Sequence, residues 1–233
     1  MAAVELATAR AGIRRRRWPA HQRMEPTRQV SRGIMSPRGA RLIRDRWRCD
    51  IHSATMPHVI LTGGPGAGKT TLLAELAAMG YKTVEESARA IIAERLARGA
   101  SPRPSLPEFA RETLRRDIDR YLGQPQTSEW VFFDRGVLDA LGLLQEVSPL
   151  PTGECEAMLA AHPFHSTVFI LPPWEAIYTN DGERDHTFAE AVNVHARLVQ
   201  WYRSCAYVLH EVPCLPIKER AKHVLRFLTE SDA

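Results

Sequence analysis

From residue 58 onward the chain alternates short apolar runs with longer stretches whose apolar residues recur at helical spacing. Short apolar runs separated by amphipathic stretches are what repeated βαβ units produce, and they predict an α/β domain on a mainly parallel sheet. Residues 58–62, 81–84, 130–134, 167–171 and 207–212 read as five strands. Between them, 69–79 reads as a helix with Leu72, Leu73 and Leu76 on one face and Gly80 at its close, and 87–98 as a second ending at Gly99. The capping-box pattern Ser105-x-x-Glu108 opens a third, carried by Phe109, Leu114, Ile118 and Tyr121. A second such box, Thr187-x-x-Glu190, opens a long helix whose stripe of Phe188, Ala191, Val192, His195, Leu198, Val199 and Tyr202 predicts packing against the sheet. A last helix is expected over 217–228.

The pattern is absent before residue 56. Residues 1–55 hold thirteen arginines against four acids, a balance of +9, so the total of +4 leaves −5 for the remainder. Arg14 to Arg17 stand in a row, and the scattered Pro, Gly, Ser and Arg after them cannot bury enough surface to order a chain. This leader is expected to be disordered, with residues 56–233 forming the domain. It is read as a targeting segment, a basic arm, or a stretch preceding the true start of translation. Met56, directly before the first strand, favours the last reading. A mildly acidic domain behind a basic leader does not match a nucleic-acid-binding fold. No apolar run reaches 18 residues, so no membrane span is expected. Four cysteines without a C-x-x-C pair fit a reducing compartment, so a soluble cytoplasmic protein is expected.

Between the first strand and the first helix lies Gly63-Gly64-Pro65-Gly66-Ala67-Gly68-Lys69-Thr70-Thr71, which satisfies G-x-x-x-x-G-K-[ST] in the context that motif requires. A loop that wraps backbone N–H groups around phosphate oxygens needs residues free of Cβ, and the following helix adds its N-terminal dipole. Lys69 is expected on the β- and γ-phosphates and the Thr70 hydroxyl on Mg²⁺. Asp134, closing an apolar strand, is the candidate for holding hydrated magnesium. The next residue is Arg135, where water-activating motor ATPases usually carry a glutamate; an arginine there suits a transferring phosphoryl group or an anionic substrate. No N-K-x-D guanine-reading segment is present, which favours ATP and leaves GTP open. His162 and His165 lack companions at zinc spacing.

Taken with Glu85-Glu86-Ser87-Ala88-Arg89, Phe133-Asp134-Arg135-Gly136 and the segment around Arg184, the P-loop makes residues 57–230 similar to the NadR-like P-loop ATPases. That group is filed among AAA domains and is related to ribosylnicotinamide kinase and, more remotely, to deoxynucleoside and thymidylate kinases. The resemblance implies a three-layer, nucleoside-kinase-like P-loop NTPase fold. It makes Glu86, after the second strand, the general base toward an acceptor hydroxyl, with Arg89 three residues on sharing its helix face. It makes residues 178–187 a mobile lid, with Arg184 closing over the phosphates. The expected activity is transfer of the γ-phosphoryl group of ATP to a small hydroxyl-bearing molecule, catalysed by Lys69, Glu86, Asp134, Arg135 and Arg184 with Arg89 at the acceptor. The rival expectation is a slow NTPase or nucleotide switch acting on a protein partner.

Overall fold

The computed structural model describes residues 57–102, 104–124, 128–178 and 187–231. The expectations for the leader 1–55, for Met56 and for Arg184 fall outside them. In chain order the elements are β1 (His58–Gly63), α1 (Lys69–Ala78), β2 (Lys82–Val84), α2 (Ser87–Ala97), α3 (Leu106–Leu122), β3 (Val131–Asp134), α4 (Val137–Val147), α5 (Thr152–Ala161), β4 (Thr167–Leu171), a 3₁₀ turn (Glu175–Ile177), α6 (Phe188–Ser204), β5 (Val208–Glu211) and α7 (Ile217–Ser231). The five strands are parallel throughout, in the order β2-β3-β1-β4-β5.

Both faces of the sheet are covered, because its strands alternate two apolar sets rather than one apolar and one polar set. Val59, Leu61, Phe132, Phe169 and Leu171 point to the layer built by Leu72, Leu73 and Leu76 of α1 and Ala221, Val224 and Leu228 of α7. Ile60, Val131, Phe133 and Val168 point the other way, onto Ala110, Leu114 and Tyr121 of α3, Leu138, Leu141 and Leu144 of α4 and Tyr202 of α6. Each fully buried leucine of these layers contributes roughly 1.5–3 kcal/mol of apolar transfer. Both capping boxes form: Ser105 with Glu108 at α3, and Thr187 with Glu190 at α6.

Helices α4 and α5 occupy a stretch where the sequence pattern predicts no element. Val137, Ala140, Leu141 and Leu144 recur at helical spacing on the buried face of α4, but no capping signal precedes them and the buried Asp139 and mid-helix Gly142 interrupt the pattern. The stripe expected on α6 is only partly buried: Ala191 and Tyr202 are enclosed, whereas Val192 is 42% exposed. No helix among the described residues is long and apolar enough to cross a membrane.

β1 stands between β3 and β4, and the chain reaches its two neighbours by separate crossovers. A parallel sheet opens a crevice at the carboxyl ends of its strands at such a point. The register brings the C-terminal ends of β1, β3 and β4 together there, with Leu61 opposite both Asp134 and Phe169 and Gly63 opposite Leu171.

Candidate functional site

The loop between β1 and α1 turns through left-handed backbone at Gly66 and Gly68, with φ of 77° and 83°, conformations that glycine adopts at little steric cost. At Gly66 space is equally restrictive, because a Cβ there would lie 2.5 Å from the Tyr178 ring. Tyr178, the first residue of the stretch read as a lid, thus packs on the loop, and its ring meets Phe188 edge-on at 5.5 Å.

Lys69 opens α1 and folds back across the loop, its Nζ donating to the carbonyls of Gly63 (3.0 Å) and Gly64 (2.9 Å). It is buried, and desolvation followed by the nearby Arg135 charge lowers its pKa to about 8, against the opposing pull of Asp134, Glu86 and Asp139. The Thr70 hydroxyl donates to Asp134 Oδ2 at 3.5 Å. Asp134 Oδ1 is buried without a hydrogen-bond partner, and burial raises the pKa of this carboxyl despite Lys69. An orphaned carboxylate oxygen beside a hydroxyl, next to the glycine loop at the start of α1, is a hard oxygen donor pair. The residues present therefore fit a hydrated Mg²⁺ on a polyphosphate.

Arg135 follows β3 with φ of 66°, an unusual left-handed conformation for a residue with a long side chain. That backbone turn aims the guanidinium into the crevice. Its Nη2 donates to Gly63 O at 3.1 Å, its Nε lies 3.2 Å from Glu86 Oε1, and its Nη1 lies 3.5 Å from Asp139 Oδ1. Glu86 caps α2 and is joined on its other oxygen by Arg89 at 3.8 Å, with Arg89 half exposed. Glu86 and Glu85 face differently: the Glu85 side chain is exposed, and its carbonyl accepts from Arg120.

The P-loop residues, Lys69, Thr70, Glu86, Arg89, Asp134 and Arg135 thus converge on one crevice. Behind them lies a buried layer that the sequence motifs do not include. Asp139 accepts from the Thr62 hydroxyl (2.7 Å) and from the Tyr202 hydroxyl (2.5 Å), so β1, α4 and α6 are tied together beneath Arg135. Burial raises the Asp139 pKa, while Arg135, Tyr202 and Thr62 oppose it. Asp117 of α3 is held up to about 7 by burial, with the neighbouring Ser87 hydroxyl and Arg120 pulling it down and Asp139 and Glu86 adding to the rise. Asp139 was legible only as the fourth residue after Arg135, one helical turn on.

A glycine loop, a lysine and threonine at the next helix start, and a carboxylate-ended strand beside it define the class: a P-loop NTPase fold. Residues 58–220 match the family model of an AAA domain, and the chain belongs to that family. No curated protein matches its sequence. Among solved structures the chain is similar to the thymidylate kinase of Candida albicans, at 12% identity over 77% of this chain and 94% of that one, with a TM-score of 0.52. It is also similar to the deoxyadenosine kinase of M. mycoides solved with dCMP and dCDP, at 15% identity over 74% and 98% of the two chains and a TM-score of 0.52. The same kinase with dATP bound aligns with a TM-score of 0.51 at 15% identity, over 74% of this chain and 98% of that one. These likenesses are of fold.

Proposed function

We propose that the protein transfers the γ-phosphoryl group of ATP to a hydroxyl of a small nucleoside- or riboside-like acceptor. The observation that carries this reading is the pairing of Glu86 with Arg135, a carboxylate 3.2 Å from a guanidinium that itself donates to the first glycine of the loop. A proton acceptor and a charge-compensating group thereby flank the mouth of the P-loop, the arrangement phosphoryl transfer needs when positioning and electrostatics carry the catalysis. The resemblance to NadR-like proteins and their ribosylnicotinamide-kinase relatives points to the same chemistry. So do the two solved kinases of related fold.

When bound, Mg·ATP supplies the phosphoryl group; residues 63–71 would hold its phosphates, and Thr70 with Asp134 its magnesium. The remaining work belongs to side chains of this chain. Lys69 would exchange the carbonyls of Gly63 and Gly64 for phosphate oxygens. Glu86 orients the acceptor hydroxyl and takes its proton, Arg89 fixes the acceptor edge, and Arg135 offsets the charge that develops beside it. Asp139, Thr62 and Tyr202 keep the Arg135 fork from swinging away.

The test is magnesium-dependent ADP release by the full chain, with and without a panel of nucleosides and ribosides, alongside Lys69→Ala and Glu86→Gln. Turnover stimulated by one acceptor and abolished by both changes supports the reading and names the acceptor. Slow release indifferent to every acceptor, lost in Lys69→Ala but kept in Glu86→Gln, refutes it in favour of an ATP- or GTP-dependent switch with a protein partner.

A further inference from the structure

Arg220, in the first turn of α7, lies about 150 residues beyond the P-loop in sequence and against it in space. Its Nη1 donates to Ala67 O at 3.5 Å, and a Cβ placed on Gly68 would stand 2.9 Å from the same nitrogen and 3.4 Å from Nη2. The guanidinium carbon sits 5.4 Å from the centroid of the Trp174 ring, which follows β4 and its two prolines. The residue is 6% exposed, and its Nε is buried without a hydrogen-bond partner.

The surroundings are unusual for an enclosed arginine. Among the described residues no carboxylate forms an ion pair with it, whereas Arg116 has Glu94 and Arg135 has both Glu86 and Asp139. A guanidinium keeps its charge in a protein, and an enclosed charge without a counter-ion is costly unless an anion arrives to meet it. A carbonyl at 3.5 Å and one aromatic face hold the group in place but do not neutralise it. The nearest fixed features are Ala67, Gly68 and the start of α1, where backbone N–H groups and the helix dipole already favour negative charge.

We propose that Arg220 is a phosphate ligand of the P-loop, delivered by the last helix and held in place by Trp174. This rests on the reading of the loop as a nucleoside triphosphate site and adds a second cation to Lys69, at Ala67 and Gly68 rather than at Gly63, where Arg135 binds. The Gly68 position follows from it, since the guanidinium occupies the space a side chain there would fill. A planar fork at this point contacts two oxygens at once, which a lysine does not.

The experiment is a comparison of dissociation constants for Mg·ATP and for inorganic triphosphate, measured on the full chain as wild type, Arg220→Met, Arg220→Lys and Lys69→Ala. The expected result is a loss of at least tenfold in Arg220→Met, equal for ATP and for inorganic triphosphate, with partial recovery in Arg220→Lys. A loss for ATP with unchanged triphosphate binding would assign Arg220 to the base or ribose and overturn the proposal, as would unchanged binding of both. If Arg220→Met does not fold, Arg220→Gln carries the same comparison. Lys69→Ala separates the two levels: wild-type binding that does not depend on Lys69 removes the nucleotide reading itself. Lys69-dependent binding untouched by changes at Arg220 removes only the role of Arg220.

Discussion

If the loop holds a nucleoside triphosphate as proposed, Lys69 should make its binding sensitive to alkaline pH, in a range where lysines are ordinarily inert. Enclosed in the loop and close to Arg135, it has its pKa lowered from 10.5 to about 8. Phosphate oxygens arriving in place of the carbonyls of Gly63 and Gly64 would restore the proton, because an adjacent negative charge favours the ammonium. The free protein therefore takes up a proton on binding wherever Lys69 starts neutral, and affinity falls as pH rises through about 8. About nine-tenths of the molecules carry the charge at pH 7 and about one-tenth at pH 9, so the dissociation constant should rise roughly tenfold between them, or about 1.4 kcal/mol. The phosphate itself adds little to this window, since a second ionisation with a pKa of about 6 is about nine-tenths complete at pH 7. Isothermal titration of Mg·ATP at pH 7, 8 and 9, each in two buffers of different ionisation enthalpy, reads both quantities. Uptake should approach about 0.9 proton per nucleotide at pH 9 and fall to about 0.1 at pH 7. In Lys69→Met binding should be weak and flat over the same range. A wild-type dissociation constant that stays within about twofold from pH 7 to 9, without proton uptake, would refute the reasoning.

Three further outcomes follow from buried polar groups. Asp134→Asn should lower turnover by about 10- to 100-fold, the usual effect of losing a group that orients a metal; its orphaned Oδ1 also predicts a higher magnesium requirement, read by magnesium titration of ADP release. Asp117 titrates near 7 in the fold and near 3.8 when unfolded, so the folded state binds the extra proton between these values and stability should decline as pH rises across them. Asp117→Asn should then gain up to about 4 kcal/mol at pH 8 relative to pH 4, seen as a shift in denaturant midpoint, and an equal effect at both pH values would contradict the assignment. His58 is fully enclosed, with both ring nitrogens unpartnered and its ring against Tyr121, Phe133 and Phe164; burial lowers its pKa below 6.5. Wild-type stability should fall as pH drops below about 6.5, where the unfolded histidine gains a proton, and His58→Phe should flatten that decline and add about 1–2 kcal/mol in thermal unfolding at pH 6.

The parts of the fold legible in the sequence are those with a local cause. Parallel strands buried on both faces leave apolar runs, and the two capping boxes mark the starts of α3 and α6 because Glu108 and Glu190 reach back to the residues that precede their helices. Helix α4 left no such mark. Val137, Ala140, Leu141 and Leu144 do keep helical spacing, but no capping box opens the stretch and Gly142 in its middle reads as a helix breaker. In the structure Gly142 makes room for Trp201, since a Cβ there would lie 2.9 Å from the indole, whose Nε1 donates to Leu138 O. The cost of glycine is offset by a contact between residues about 60 positions apart, which no local pattern records.

The candidate site divides along the same line. Residues 63–71 are set by the steric demands of one short loop, so spacing alone finds them. The sequence marks Arg135 only by its place after Asp134, yet what brings it into the candidate site is a left-handed backbone turn and three partners, Gly63, Glu86 and Asp139. Asp139 owes its position to hydroxyls of Thr62 and Tyr202, two residues that a sequence reader assigns to a strand and a helix stripe. A buried carboxylate can hold a guanidinium in place only if its remaining lone pairs are satisfied. The loop motif therefore identifies where phosphate would sit, whereas under the proposed kinase reading the orientation of Arg135 toward an acceptor would depend on the layer beneath it. Loss of the Tyr202 hydroxyl should accordingly disturb acceptor use more than nucleotide affinity, because it frees the Arg135 fork and leaves Lys69 where it is.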